Sequence, residues 1–195
     1  EMGKGRSAGI EFMAQKTAGK TTGWLSYTLS KSDRKFTKGG INNGEWFPYK
    51  YDRRHSINLT INHKFSDRID IGASWVFYTG GTSTIPEEKT TVIRPHNGAN
   101  NGFLWYGTYD NTNSSPTIGD VSYIEHRNNF RLPASHRLNL GVNFNKKTKH
   151  GMRTWNISLY NAYNAMNPAW VYRGHNKQGL SVIKKYTLLP LIPSF

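Results

Sequence analysis

The sequence contains no cysteine among its 195 residues. This absence excludes a disulfide framework, thiolate zinc sites and cysteine nucleophiles together. Long apolar runs are also lacking, because no stretch approaches the roughly 18 apolar residues that a membrane-spanning helix needs. The opening segment, Glu1–Ser7, has neither an initiator methionine nor the apolar core of a secretory signal, so we expect the chain to begin inside a longer protein.

Hydrophobic residues make up only 36% of the sequence, whereas aromatic residues reach 13%. A disordered chain would be poor in aromatic residues, so the rings indicate ordered structure. The formal net charge of +14 suggests nucleic acid as a partner. However, the Lys and Arg residues are spread over predicted loops and strand ends, and no nucleic-acid-binding motif accompanies them. We therefore expect no nucleic-acid partner.

The residue types that support catalysis or metal binding in other proteins lack the necessary spacing in this sequence. The seven histidines are scattered, which argues against a zinc site. Glu87 and Glu88 form an isolated acidic pair, and this favours a solvated surface over a calcium site. Asp52 and Arg53 would project to opposite sides of a strand, and no nucleophile completes a catalytic site beside them. We expect no enzymatic activity and no cofactor, with Asp52 pairing with an arginine in a structural role.

Alternation of apolar and polar residues dominates the sequence and predicts antiparallel β-strands of about ten residues. In the segment 56–65, for example, Ile57, Leu59 and Ile61 alternate with asparagine and threonine. The same pattern predicts strands at 8–15, 24–30, 69–78, 138–145 and 155–160, with less regular strands at 169–173 and 180–188. Period two alone is compatible with a soluble sandwich as well as with a membrane barrel.

The lengths of the connections distinguish these two folds. Short reversals are predicted near Ala18, near Ser66 and at 147–151, whereas the intervening connections cover 33–54 and 80–135. Such alternation is typical of outer-membrane barrels, whose periplasmic turns are short and whose extracellular loops are long. A structureless loop of the second length would be unusual in a compact soluble domain. We therefore predict an all-β fold, namely a portion of an antiparallel transmembrane β-barrel that is incomplete alone.

The two faces of the predicted strands support this interpretation. Aromatic residues near strand ends fit the girdles that amphipathic rings form at the two membrane interfaces. The opposite faces are rich in Asn, Ser, Thr and Gly, which suit a hydrated or plug-filled lumen better than a dry sandwich core. The predicted girdle residues are Phe65, Trp75, Phe77, Phe144 and Trp155.

Several motifs carry a family resemblance. Tyr51-Asp52-Arg53-Arg54-His55 directly precedes a predicted strand, the segment 127–133 leads into His136-Arg137-Leu138, and Tyr160-Asn161-Ala162-Tyr163-Asn164 precedes Asn167-Pro168. With the further segments 9–11, 23–28 and 190–194, these motifs span nearly the whole chain. In their order and spacing, the chain resembles the C-terminal barrel of TonB-dependent outer-membrane receptors of the Bacteroidetes type.

The resemblance implies a barrel of about 22 strands around an N-terminal plug domain, with residues 1–195 supplying about the last eight strands. The plug, the TonB box and the N-terminal strands would belong to the preceding part of the protein, and a further strand would follow Phe195. The implied function is TonB-dependent uptake of a siderophore, glycan or peptide across the outer membrane of a Gram-negative bacterium. The implied partners are TonB and a surface lipoprotein of the SusD-like type.

Three groups of residues are candidates for contacts beyond the barrel wall. Aromatic residues of the long loops, which could stack on a ligand or pack the loops together, are Trp46, Tyr49, Trp105, Tyr106 and Tyr109. The predicted structural motif at the barrel rim comprises Asp52, Arg53, Arg54, His55, Arg131, His136 and Arg137. The basic loop residues expected to pair with lipopolysaccharide phosphates are Arg34, Lys35, Lys38, Arg53 and Arg54.

Two alternative functions remain open at the level of the sequence. The first is a passive barrel, or a structural barrel in a larger surface or secretion assembly. The second is a soluble, basic β domain that binds carbohydrate or nucleic acid. A plug sequence upstream would favour active transport over a passive or structural barrel. Release from cells by salt without detergent would favour the soluble β domain.

Overall fold

The chain is built almost entirely from β-strands. The computed structural model describes residues 2–94 and 117–195, with side chains described outside 88–94 and 117–121. Numbered in chain order, the strands are β1 Gly3–Lys16, β2 Thr21–Phe36, β3 Phe47–Pro48, β4 His55–Lys64, β5 Ile69–Tyr78, β6 Thr82–Ser83, β7 Glu88–Arg94, β8 Thr117–Tyr123, β9 Phe130–Arg131, β10 Ser135–Thr148, β11 Gly151–Tyr160, β12 Pro168–His175, β13 Ser181–Thr187 and β14 Ile192–Ser194. A short 3-10 turn covers Ile41–Gly44. Within the described ranges, no helix has the length and apolar character needed to cross a membrane.

Seven strands form one antiparallel meander in the order β1-β2-β4-β5-β10-β11-β14. The short strand β3 also pairs with β2, which gives a sheet of eight strands. The register aligns apolar residues across neighbouring strands: Leu25 lies opposite Leu59, Leu59 opposite Trp75, and Trp75 opposite Leu138. The predicted all-β, antiparallel fold is confirmed, and the sheet is open, with β1 and β14 at its two edges.

Because successive side chains of a strand point to opposite faces, this register collects the apolar residues on one face. We call it the apolar face, and its members are Ile10, Phe12, Leu25, Tyr27, Leu29, Ile57, Leu59, Ile61, Ile69, Ile71, Ala73, Trp75, Phe77, His136, Leu138, Leu140, Val142, Phe144, Trp155, Ile157 and Leu159. None of them is buried. The opposite surface, which carries the Ser, Thr and Asn residues, is called the polar face.

The buried hydrophobic side chains lie away from the apolar face. The buried hydrophobic residues of the described ranges are Phe47 and Ile85, which are 7% and 8% exposed. Both belong to the long connections between strands of the meander. The described residues therefore form a small core among the loops, while the largest apolar surface of the sheet is left uncovered.

The two ends of the meander differ. At one end, the short-turn end, the connections are 17–20, 65–68 and 149–150. Gly19 and Gly151 have positive φ there, and Ser66 Oγ accepts the N–H groups of Arg68 and Ile69, both at 3.2 Å. At the other end, the loop end, the connections are 37–54, 79–134 and 161–191. The alternation of short and long connections predicted from the sequence is therefore present in the fold.

The long connections contain secondary structure that the alternation pattern does not predict. The two-residue strands β6 and β9 pair through Thr82 and Arg131 within the second connection. Pro86–Glu125 forms a separate structural unit, in which β7 and β8 pair as an antiparallel hairpin. The connection expected to lack structure over 80–135 is thus partly folded.

The last two predicted strands exist but lie elsewhere than expected. β12 and β13 occupy the segments predicted at 169–173 and 180–188, yet among the described residues they pair only with each other. Trp170 stacks on Tyr186 across this hairpin with ring centroids 4.3 Å apart. The strand that continues the meander beside β11 is instead β14, with Tyr160 opposite Ile192. The hairpin thus belongs to a third long connection at the loop end.

Candidate functional site

Aromatic side chains mark both ends of the apolar face. Near the short turns, Phe144 lies opposite Trp155, and Phe65 extends the same face beyond the end of β4. Nearer the loops, Trp75 and Phe77 stack with ring centroids 6.1 Å apart. The structure therefore places all five predicted girdle residues on one face, three close to the short turns and two toward the loops.

Amphipathic rings at the loop end also have hydrogen-bond partners. Tyr27 Oη and His55 Nδ1 lie 2.9 Å apart. Trp75 Nε1 donates to Tyr163 Oη at 3.1 Å, and the same oxygen lies 2.8 Å from His136 Nδ1. Such pairing suits rings whose bodies are in an apolar environment while their polar atoms are near water.

The height of the apolar face is comparable to a membrane core. Phe77 and Ile69 are eight positions apart on β5, which corresponds to about 26 Å along a strand. Tilting the strand by about 40° reduces this height to about 20 Å, of the same order as the roughly 25 Å apolar band of outer-membrane barrels.

The polar face carries a network of amide side chains near the short turns. Asp70 accepts hydrogen bonds from Asn143 Nδ2 and Asn145 Nδ2, both at 2.6 Å. Asn156 Nδ2 donates to Asn143 Oδ1, and Thr154 Oγ1 donates to Asn145 Oδ1, each at 2.7 Å. The network therefore joins three strands through polar atoms on the surface opposite the apolar face.

The long loops meet at a buried carboxylate, and we call Asp52, Arg54 and Arg131 the Asp52 cluster. Asp52 is 1% exposed. Its Oδ1 accepts the Ser32 N–H at 2.6 Å, while Oδ2 accepts Arg131 Nη2 at 2.5 Å and lies 3.5 Å from Arg54 Nε. Arg131 Nη1 also donates to the carbonyl oxygens of Asp52 and Gly80, each at 2.9 Å. Arg131 thus ties the second long connection to the first.

Opposing effects act on the Asp52 carboxyl. Burial disfavours its charged form and raises the pKa, but the hydrogen bonds from Arg131 and Ser32 and the positive charges of Arg131 and Arg54 outweigh burial. The net result is a pKa below the ordinary aspartate value. Asp52 therefore stays ionised at neutral pH and stabilises the loops as a charged partner.

Close backbone approaches around this cluster leave no space for a side chain. A Cβ on Gly80 would lie 2.0 Å from the Leu132 carbonyl oxygen, and one on Gly81 would lie 2.7 Å from the Lys50 carbonyl oxygen. Asn42 exchanges two hydrogen bonds with the Arg127 backbone, at 2.7 and 3.1 Å. The two connections are therefore held together by backbone contacts as well as by charge.

The predicted ligand-binding aromatics divide into two groups. The Arg6 guanidinium lies over the Trp46 ring, and the Arg34 guanidinium lies over the Tyr49 ring, each at 4.3 Å from the ring centroid. One face of each ring is thus covered by the chain itself, which favours a packing role over stacking on a ligand. Trp105, Tyr106 and Tyr109 lie outside the described residues.

The residues of the predicted rim motif lie in the Asp52 cluster, on the apolar face and on the polar face. Asp52, Arg54 and Arg131 form the cluster above, and His55 contacts Tyr27 on the apolar face. Arg53 stacks on Tyr78, and Arg137 stacks on Tyr160. His136 exchanges two backbone hydrogen bonds with the Asn167 side chain, at 2.8 and 2.9 Å.

Asn161 is a structural residue that the sequence did not single out by itself. It is 1% exposed, has φ of 54°, and its side chain contacts the backbone of Ala165 and Leu189 through three hydrogen bonds. Asn164 also has a positive φ and accepts the Leu191 N–H. Asparagine tolerates a positive φ better than most residues. The two asparagines three positions apart were therefore the sequence signal for a tight turn at this place.

Comparisons with known proteins add no relative. No family model matches the chain, and the comparisons found no matching curated protein and no matching solved structure. The features of the molecule that bear on function are therefore the exposed apolar face, the unlike ends of the sheet and the residues of the polar face.

Proposed function

We propose that this chain forms part of the wall of a transmembrane β-barrel in the outer membrane of a Gram-negative bacterium. The observation that carries the proposal is the uncovered apolar face, which extends across the meander and has aromatic residues toward both ends. In water, an apolar surface that crosses several strands would favour association or aggregation. Against lipid acyl chains the same surface is stable without protein cover.

The sheet edges support the same proposal. β1 and β14 each have a neighbour on one side only within the described residues, so their outer backbone groups lack sheet partners. In a membrane these groups must be paired, and closure into a barrel with further strands of the protein pairs them. We propose that this chain supplies the described meander to a barrel of about 22 strands.

The proposed transport activity is TonB-dependent uptake of a nutrient such as a siderophore, glycan or peptide. Its support is the resemblance of the motifs at 51–55, 127–138 and 160–168, together with a polar face suited to a hydrated, plug-containing lumen. In this proposal TonB acts on the plug, a SusD-like lipoprotein and lipopolysaccharide contact the loop end, and the described residues perform no covalent chemistry. The loop end would then face the outside of the cell.

One fractionation experiment separates this proposal from its alternatives. Membranes from cells that express the full-length protein are washed with 1 M salt and then extracted with detergent, and the extract is passed over the immobilised periplasmic domain of TonB. We expect the protein to resist salt, to be extracted by detergent and to be retained by TonB. Extraction without retention would support a passive or structural barrel, whereas release by salt would support a soluble β domain.

A further inference from the structure

Two arginines share a concave site on the polar face at the loop end. The concavity has a volume of about 310 Å³, and its lining includes Arg53, Arg137, Ser56, Asn58 and Tyr78. Ser56 lies opposite Tyr78, and Tyr78 lies opposite Ser135, so the floor of the site is one row across β4, β5 and β10. The regular sheet thus supplies a rigid base for side chains at the mouth of the proposed lumen.

Both guanidinium groups are held against tyrosine rings. Arg53 Cζ lies 4.0 Å from the centroid of Tyr78, and Arg137 Cζ lies 4.3 Å from that of Tyr160. Arg137 Nη1 also donates a hydrogen bond to Tyr160 Oη. Stacking limits the motion of each guanidinium while leaving edge N–H groups available for an acceptor.

Neither arginine has a carboxylate partner among the described residues. The lining of the concavity contains no acidic side chain, and Asp52 is already committed to Arg131, Arg54 and the Ser32 N–H. On β5, Asp70 is six positions from Val76, or about 20 Å along the strand. Arg137 Nε is buried without a hydrogen-bond partner, which leaves a donor unsatisfied. Among the described residues, the site thus has two cations and no anion.

We propose that this concavity binds a small solute through a carboxylate or phosphate group. A guanidinium offers parallel N–H groups that match the two oxygens of such a group, and the two arginines in the lining supply two guanidiniums to one concavity. Ser56 adds a hydroxyl that makes no described hydrogen bond. The inference rests on the proposed transport function and deepens it, because it requires the transported nutrient to be anionic.

The phosphate of a lipid headgroup has the same chemistry but a different location. Acyl chains are proposed to contact the apolar face and lipopolysaccharide the outer surface of the loop end, whereas the concavity lies on the polar face, toward the proposed lumen. A binding experiment in detergent without lipopolysaccharide, with a dissolved anion as the probe, therefore reports on the solute site alone.

The experiment is a titration of the full-length protein in detergent with inorganic phosphate, followed by the ³¹P NMR linewidth, with citrate as a competing carboxylate. We expect saturable phosphate binding that citrate displaces. Arg53→Gln and Arg137→Gln should each weaken binding on the order of tenfold, because each removes charge-assisted hydrogen bonds. Arg137→Lys keeps the charge but loses the fork geometry, and it should bind more weakly than the native protein but more tightly than Arg137→Gln.

The matched control is Arg68→Gln, which removes the same charge at the short-turn end. It should leave phosphate binding unchanged, and an equal loss in this variant would assign binding to the overall positive charge and overturn the site. Absence of saturable binding to the native protein would also overturn it, as would occupation of both arginines by an acidic segment of the same protein. If the protein resists salt extraction from membranes but does not bind phosphate, only the anion site is contradicted. If the protein binds phosphate but is released from membranes by salt, the proposed barrel is contradicted.

Discussion

Replacing Arg131 with leucine is expected to open the contact between the two long connections. The change removes the closest cation from the buried Asp52 carboxylate and two hydrogen bonds to the carbonyl oxygens of Asp52 and Gly80. Breaking a buried ion pair by removing one partner costs about 3–5 kcal/mol. We expect a loss of about 3 kcal/mol here, because the Arg131 side chain is 34% exposed. Hydrogen exchange of the Ser32 and Leu132 amides in the full-length protein should therefore accelerate roughly 100-fold.

Arg127→Leu is the matched control for this experiment. Arg127 belongs to the same connection and contributes its backbone to the contact with Asn42, but its side chain forms no ion pair in the described structure. Its substitution should change the same amide exchange rates less than about twofold. Equal acceleration in both variants would contradict the role assigned to the Asp52 cluster.

Acid should produce the same opening as the loss of Arg131. The folded pKa of Asp52 is lowered, so its contribution is complete above the ordinary aspartate pKa of about 3.9 and is lost as pH falls through the folded value. In the native protein, loop exchange should accelerate below about pH 4 after correction for the intrinsic rate. Asp52→Asn should be less protected at pH 7 and should lack this additional acid step.

Placing an arginine at Ile61 is expected to have the second large effect. Ile61 lies opposite Gly23 and Ala73 in the middle row of the apolar face. A cationic side chain at the bilayer midplane of a barrel costs about 2–4 kcal/mol, while the cost falls to about 0–1 kcal/mol near the interface. Urea unfolding of the full-length protein in phosphatidylcholine vesicles should therefore show a large loss of stability for Ile61→Arg and a small one for Phe65→Arg.

Asn62→Arg supplies the control on the opposite face of the same strand. Asn62 neighbours Gly72 on the polar face, where a charged side chain would meet water in the proposed lumen. This variant should differ from the native protein by less than about 0.5 kcal/mol. Equal losses at Ile61 and Phe65 would contradict a depth-dependent lipid environment and would favour a protein core over the apolar face.

The sequence determined the sheet more fully than the loops. Strict alternation, as in 56–65, places apolar residues on one face, and a shift of one residue would reverse the faces, so the pattern also constrains the register. By contrast, β3, β6 and β9 have two residues each, too few for any period to appear. They depend on distant contacts such as that of Thr82 Oγ1 with the Tyr49 carbonyl oxygen.

The Asp52 cluster illustrates the same limit at the level of single residues. The position of Asp52 before β4 suggested an arginine partner, but the motifs contain five arginines, namely Arg53, Arg54, Arg127, Arg131 and Arg137. Arg131 is 79 positions away and reaches Asp52 because the pairing of β6 with β9 carries it there. Only the folded loops distinguish this partner from Arg53, which instead stacks on Tyr78.

The most direct test of the membrane-facing surface uses the absence of cysteine from this chain. In the full-length protein, freed of other cysteines, single cysteines are introduced one at a time at positions 57–62 of β4 and are spin-labelled. The labelled proteins are placed in lipid vesicles. The collision rates of each label with oxygen and with a water-soluble nickel complex are then measured. We predict high oxygen and low nickel accessibility at Ile57, Leu59 and Ile61, and the opposite at Asn58, Thr60 and Asn62. Low accessibility to both reagents at the three apolar positions would mean that protein covers this face, and it would contradict the barrel.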